Sequence, residues 1–258
     1  MKPISIVGAG PGAVDLMTQR AAKRIAEAEV LVWTDSLISN QIKELLNENC
    51  ELIASSSLTL EEILPLLINK CKQGKKVVRL HDGDPCLFGA LSEQIYRLKK
   101  AGLQVEVVPG ISAYQATAAS LQAELTIPGL TQTIILSRAS GRTGTPERER
   151  LDKLASTKAS ICLYLSARHV ESVEKTLLSY YPENTPVAIG YRVSWEDEWL
   201  KVVPLKQMAS TSREKGLIRT TIYIISPALG AQKERSKLYS STHSHLFRKN
   251  QSDLLISD

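Results

Sequence analysis

The sequence predicts two α/β units, a mostly parallel sheet in the first half of the chain and a mixed sheet in the second. Three observations carry this. Short apolar runs of strand length alternate with helical patterns through the N-terminal half. Three loops rich in glycine and proline each lie between a strand and a helix. The length, 258 residues, exceeds what one typical core organises.

The elements follow in order. Ile4-Ser5-Ile6-Val7 is a buried strand, Thr18 to Glu29 a helix, and Val30 to Trp33 a second strand. Helical character returns from Asn40 to Glu48. Thr59 and Glu62 have the spacing of a capping box, so a helix starts there and runs to Gly74, with a kink expected at Pro65. Val77 to Leu80 is a strand, Leu91 to Ala101 a helix, and Gln104 to Val108 a strand. Strands separated by helical crossovers imply a parallel sheet covered on both faces. Leu125-Thr126-Ile127-Pro128-Gly129-Leu130 interrupts the alternation and sets the expected boundary: 1–127 is one domain and 128–230 the other. Thr133–Leu136, Ser160–Leu165, Pro186–Tyr191, Trp199–Val203 and Thr220–Ile225 are the strands of the second. Trp195-Glu196-Asp197-Glu198-Trp199 reads as a hairpin turn, hence the mixed sheet. Residues 231–258 are rich in Ser, Lys, Arg and His and are expected to form a disordered tail.

Composition narrows the classes. The formal charge is +5, which suits an acidic partner without choosing one. No apolar run is long enough for a membrane helix, and the chain enters a strand at once, so neither membrane insertion nor a secretion signal is expected. Aromatics are 5% of the chain and no basic helix interleaves them, which argues against a nucleic-acid module. Cys50, Cys71, Cys86 and Cys162 lack C-x-x-C spacing, and His81, His169, His243 and His245 lack ligand spacing. Free thiols, a cytoplasmic location and no metal are the expectations.

The chemistry concentrates in the loops. Arg79-Leu80-His81-Asp82-Gly83-Asp84-Pro85 leaves a strand and opens, through Leu87-Phe88-Gly89-Ala90, onto a helix. Asp84 is confined between Gly83 and Pro85, so it has little freedom to lose on meeting a ligand. Gly8-Ala9-Gly10-Pro11-Gly12-Ala13 follows the first strand, with Asp35 after the second. This formally satisfies the dinucleotide fingerprint. However, Pro11 lacks the N–H that a pyrophosphate would want. Val108-Pro109-Gly110-Ile111-Ser112-Ala113 is a third such loop, with Ser112 placed to cap the next helix. In open α/β sheets ligands bind at this carboxyl edge. Arg138 and Arg142 lie on a loop after a later strand, and Tyr191-Arg192-Val193-Ser194-Trp195 ends another. Arginine forks of this kind bind carboxylates.

Taken together, these motifs resemble the tetrapyrrole methylases, which use S-adenosylmethionine. The resemblance spans residues 2 to about 227 and rests on Val7–Gly12, Gly83-Asp84-Pro85, Pro109–Ala113 and Arg219-Thr220-Thr221-Ile222-Tyr223-Ile224-Ile225. Thr34–Leu37, Leu87–Ala90, Arg138, Gly141-Arg142-Thr143 and Pro146-Glu147 point to the branch acting on precorrins. Gly12-Ala13-Val14 departs from the Gly-Asp-Pro of the sirohaem branch. The resemblance implies two α/β domains with a cofactor cleft between them. It implies S-adenosylmethionine contacts, largely through backbone, at Pro11, Asp82, Gly83, Asp84, Leu87, Ser112, Ala113, Leu165 and Val193. It also implies a homodimer and a polycarboxylate tetrapyrrole as acceptor, for which Arg138, Arg142 and Arg192 are the candidate ligands. Asp35 is the candidate base, with helix capping as its alternative role.

Overall fold

The computed structural model describes residues 3–139 and 144–230. Arg142 and the segment 231–258 lie outside the described residues. Residues up to Thr117, together with Tyr191–Trp199, make one compact unit. Ala118–Gly190 and the described residues from Leu200 onward make the other.

In the first unit, β1 (Ile4–Gly8), β2 (Val30–Trp33), β3 (Glu51–Ala54), β4 (Val77–His81) and β5 (Val105–Val108) form a sheet in the order β3-β2-β4-β1-β5. Every pairing in it is parallel. Strand side chains alternate between two cores, as the period of two requires. Val7, Leu31, Val78 and Leu80 pack on one face with Ala21 and Ile25 of α1 (Gln19–Ala26). Ile4, Ile6, Val30 and Val32 pack on the other, with Ile63, Leu64 and Leu67 of α2 (Leu60–Lys72) and Leu98 of α3 (Leu91–Lys100). Both faces are covered, which is why these strands read as continuous apolar runs.

The local signals act as their chemistry demands. The Thr18 hydroxyl accepts from Ala21 N at 3.2 Å and starts α1. The Glu62 carboxylate accepts from Thr59 N at 2.7 Å, closing the capping box of α2, and the helix continues through Pro65. Two expectations need correction. The helix predicted from Asn40 is a 3-10 segment, Asn40–Leu45, held by i+3 bonds such as Leu46 N to Lys43 O. Strand β3 was not predicted. It is a four-residue edge strand with partly exposed side chains, so it lacks the buried run that marks its neighbours.

Register fixes the site. Gly8 lies level with His81, and Val7 level with Val108, so β1, β4 and β5 end together.

In the second unit, β6 (Ile134–Arg138), β7 (Ser160–Tyr164), β8 (Pro186–Tyr191), β9 (Trp199–Pro204) and β10 (Thr221–Ile225) follow the order β6-β7-β10-β8-β9. The β6–β7 pair is parallel and the β7–β10 pair antiparallel, so the sheet is mixed as the sequence predicts. The core is built on Ile161, Leu163, Val187, Ile189 and Ile222–Ile225. The Ser160 and Ser226 hydroxyls meet within it at 2.7 Å.

Candidate functional site

Three backbone loops converge where β1, β4 and β5 end. Gly10 and Gly83 exchange hydrogen bonds, N to O, at 3.2 and 2.8 Å, forming an isolated antiparallel bridge. A Cβ on Gly8 would sit 2.6 Å from Gly83 O, and one on Gly110 only 2.1 Å from the same oxygen. The glycines at 8 and 110 are therefore demanded by space. Gly83, at φ +55°, is demanded by backbone conformation.

Asp84 ties this edge together. Its Oδ1 accepts from Cys86 N at 2.7 Å and its Oδ2 from Gly110 N at 2.9 Å. One confined carboxylate thus joins the loop after β4 to the loop after β5. Asp82 has no such bond described and is exposed. After the turn, Leu87 N bonds to Asp84 O, and Phe88 and Ala90 stand at φ 57° and 49°. Non-glycine residues in the left-handed region are uncommon and store strain near ligand sites. Ser112 is buried at the entrance to α4 (Ala113–Ser120), where its backbone N donates to Gln115 Oε1 at 2.9 Å.

Asp35 is engaged otherwise. Its Oδ1 accepts from Ser55 N at 3.1 Å and Ser56 N at 2.9 Å, and its Oδ2 from the Ser56 hydroxyl at 2.8 Å. Desolvation pushes its pKa up, but the bonds from Ser56 and Ser55 outweigh this and hold it below the ordinary value. This geometry makes Asp35 a clasp on the chain leaving β3, not a cap on the next helix. Accepting three hydrogen bonds favours the charged form of a carboxylate.

Sequence reasoning missed two features. The first is Arg79, buried on β4, which donates to Val32 O at 3.3 Å and to Ser55 Oγ at 2.8 Å. Burial lowers its pKa to about 10, with Asp82 opposing. It links the carboxyl ends of β2 and β3, and among the described residues its Nε has no hydrogen-bond partner. A lone arginine within Val77-Val78-Arg79-Leu80 was the available signal.

The second is the strap between β8 and β9. The predicted turn there is present, with Trp195 N bonding to Arg192 O at 2.9 Å. The strap reaches the first glycine loop. Ala13 N donates to Ser194 Oγ at 3.0 Å, and Trp195 Nε1 donates to Pro11 O at 3.0 Å. A Cβ on Gly12 would fall 2.2 Å from the indole. Arg192 stacks over that indole at 4.2 Å and pairs with Asp197. Val193 is buried between Arg192 and Ser194, both at positive φ.

In the second unit, Arg138 ends β6 and donates to Gly144 O at 2.9 Å. Leu165 follows β7 at φ 52° with 67% of its surface exposed.

The chemistry open to this edge is restricted. The Ala9, Gly10 and Ala13 amides are consumed by His81 O, Gly83 O and Ser194 Oγ, and Pro11 has none. The loop therefore cannot present those amides to a diphosphate. His81 is buried against Gln94, and burial followed by the charge of Arg79 lowers its pKa to about 4. The Cys86 thiol is pushed up by desolvation and then by Asp84. Neither is an activated nucleophile near neutral pH. Among the described residues no group of three or more metal-ligating side chains occurs, and no helix is long and apolar enough to cross a membrane. The edge is suited to holding a small molecule through backbone contacts.

The fold and the site define an α/β protein in which three glycine loops meet at the carboxyl edge of a parallel sheet. Residues 3–209 match the model of the Tetrapyrrole (Corrin/Porphyrin) Methylases, and the chain belongs to that family. It is similar to the cobalt-precorrin-4 C(11)-methyltransferase of Methanocaldococcus jannaschii, at 39% identity over 96% of this chain and 97% of the relative. It is similar to the S-adenosyl-L-methionine-dependent uroporphyrinogen III methyltransferase of Arabidopsis thaliana, at 31% identity over 86% of this chain and 62% of that protein. Among solved structures, a cobalt precorrin-4 methyltransferase of cobalamin biosynthesis matches with a TM-score of 0.85 and 38% identity, covering 88% of this chain and 96% of that one.

Proposed function

We propose that the protein is an S-adenosylmethionine-dependent methyltransferase that methylates C11 of precorrin-4 or cobalt-precorrin-4 in cobalamin biosynthesis. The observation that carries this is the glycine-loop edge. Three glycine loops converge there, and in the first of them the Ala9, Gly10 and Ala13 amides are already bonded while Pro11 has none. That disfavours a nicotinamide or flavin dinucleotide, the alternative suggested by the sequence formula, and favours a donor without phosphates. Membership of the family and the relatives' names support the same reading.

The donor is proposed to meet Pro11, Asp82, Gly83, Asp84, Leu87, Ser112, Ala113, Leu165 and Val193. Bound S-adenosylmethionine supplies the methyl group on an already activated sulfonium. The protein's share is orientation, which contributes up to roughly 7–11 kcal/mol in well-aligned reactions. Arg138, Arg142 and Arg192 are proposed to meet the acceptor's carboxylates. Arg192 would act while stacked on Trp195. We further propose a cytoplasmic homodimer with no resident metal.

Calorimetry with S-adenosylhomocysteine tests the donor, and mass spectrometry of precorrin-4 and cobalt-precorrin-4 after incubation tests the acceptor. Binding of NADH or FAD in place of S-adenosylhomocysteine overturns the assignment. A light-scattering mass of one chain across micromolar concentrations overturns the dimer.

A further inference from the structure

We propose that Trp195 is a positioning residue of the methyl-donor site, setting the Pro11 loop and the Val193 strap as one ligand-facing surface. The inference rests on the donor meeting Pro11 and Val193, as proposed above.

The two segments are far apart in sequence and are joined by few groups. The indole N–H bonds to Pro11 O, the Ser194 hydroxyl takes the Ala13 amide, and the ring occupies the space beside Gly12. Gly12 has this neighbour as its reason to be glycine, since a Cβ would enter the indole at 2.2 Å.

The strap is stiff. Arg192 and Ser194 stand at φ 46° and 65°, a conformation that L residues adopt only when their surroundings enforce it. The enforcement is visible: Ser194 N bonds to Glu198 Oε2, Arg192 pairs with Asp197, and Gln41 Nε2 bonds to Glu196 Oε1 at 3.0 Å. Arg192 stacks over the indole. A strained segment braced in this way can hold one backbone position firmly, and the position it holds is Val193. Pro11 cannot donate, so its carbonyl is its backbone hydrogen-bonding group. Trp195 occupies that carbonyl and fixes the direction in which the loop faces. A ligand held by backbone depends on such placement, because displacement of about 1 Å is enough to lose it.

The test is Trp195→Phe, which keeps an aromatic ring and removes the N–H. We expect the S-adenosylhomocysteine Kd to rise about tenfold, the size of one hydrogen bond with some loosening. The loss should fall on the KM for S-adenosylmethionine far more than on kcat or on the KM for the tetrapyrrole. Gly12→Ala should give a similar loss by displacing the indole. In a Trp195→Ala background the same Gly12→Ala change should add almost nothing. A purely structural role predicts instead a lower Tm with the Kd unmoved in the cold. A parent protein that binds S-adenosylhomocysteine while Trp195→Phe binds it equally well overturns this inference alone. So does full additivity of Gly12→Ala and Trp195→Ala. A parent that binds no S-adenosylhomocysteine overturns the proposed function, and this inference with it.

Discussion

Two glycine loops meet at one sheet edge and are built on different principles. The loop after β1, Gly8 to Ala13, is closed by space: Gly8 and Gly12 are hemmed in by backbone and by an indole, and the segment contains no titratable side chain. The loop after β4 is closed by conformation and charge. Gly83, Phe88 and Ala90 are left-handed, Asp84 clasps two amides, and His81 sits at its root. The first should respond to added volume and ignore pH. The second should respond to both. Similar glycine signatures in a sequence thus conceal different physical demands.

The largest expected effect tests the space principle. Gly110→Ala places a Cβ 2.1 Å from a backbone oxygen, which cannot rotate away. Urea denaturation should show a loss of about 3 kcal/mol or more. Gly12→Ala meets a movable ring and should lose less than half as much stability. Equal losses would erase the distinction between the two neighbours.

The next effect tests charge. The folded pKa of His81 is lowered to about 4, below the ordinary 6.5. The unfolded chain therefore binds more protons between these values, and stability rises with pH across that window. It should be fully present above about pH 6.5 and decline towards pH 4, by about 2–3 kcal/mol. His81→Gln should flatten that slope in denaturation curves taken from pH 7 to 4. A slope that survives belongs to other groups.

Asp84→Ala leaves two amides without their acceptor and should weaken S-adenosylhomocysteine binding by roughly 1–3 kcal/mol. Asp82→Ala, which breaks no described bond, should cost less. The reverse ranking by calorimetry would move the ligand contact from the clasp to its exposed neighbour. Smallest is Ala90→Gly. It relieves a left-handed alanine at φ 49° and should raise Tm by the equivalent of about 1 kcal/mol or less.

What could be read in the sequence was local. Asp84 between Gly83 and Pro85 stands out by neighbour chemistry, and its confinement is real. The strands stand out because both faces of the first sheet are buried. What could not be read was long-range or inconspicuous. Nothing around Gly12 announces that Trp195, 184 positions from Pro11, will fill its space. Asp35 gave no sign that its donors would come from Ser55 and Ser56, because the strand preceding them was itself invisible as a half-exposed edge. Arg79 stands alone among apolar strand residues and proves to be a brace across three strands.

Cys86 also offers an experimental handle. Cys71 and Cys162 are buried, with thiols pushed up by desolvation to about 11 and about 12, and Cys50 is only partly exposed. Cys86 is exposed, and its own amide is held by Asp84. A thiol-reactive dye applied at mildly alkaline pH should therefore label one place first, two residues from the clasp. Its emission would then report arrival of the proposed methyl donor at that loop in real time, without a change to the sequence.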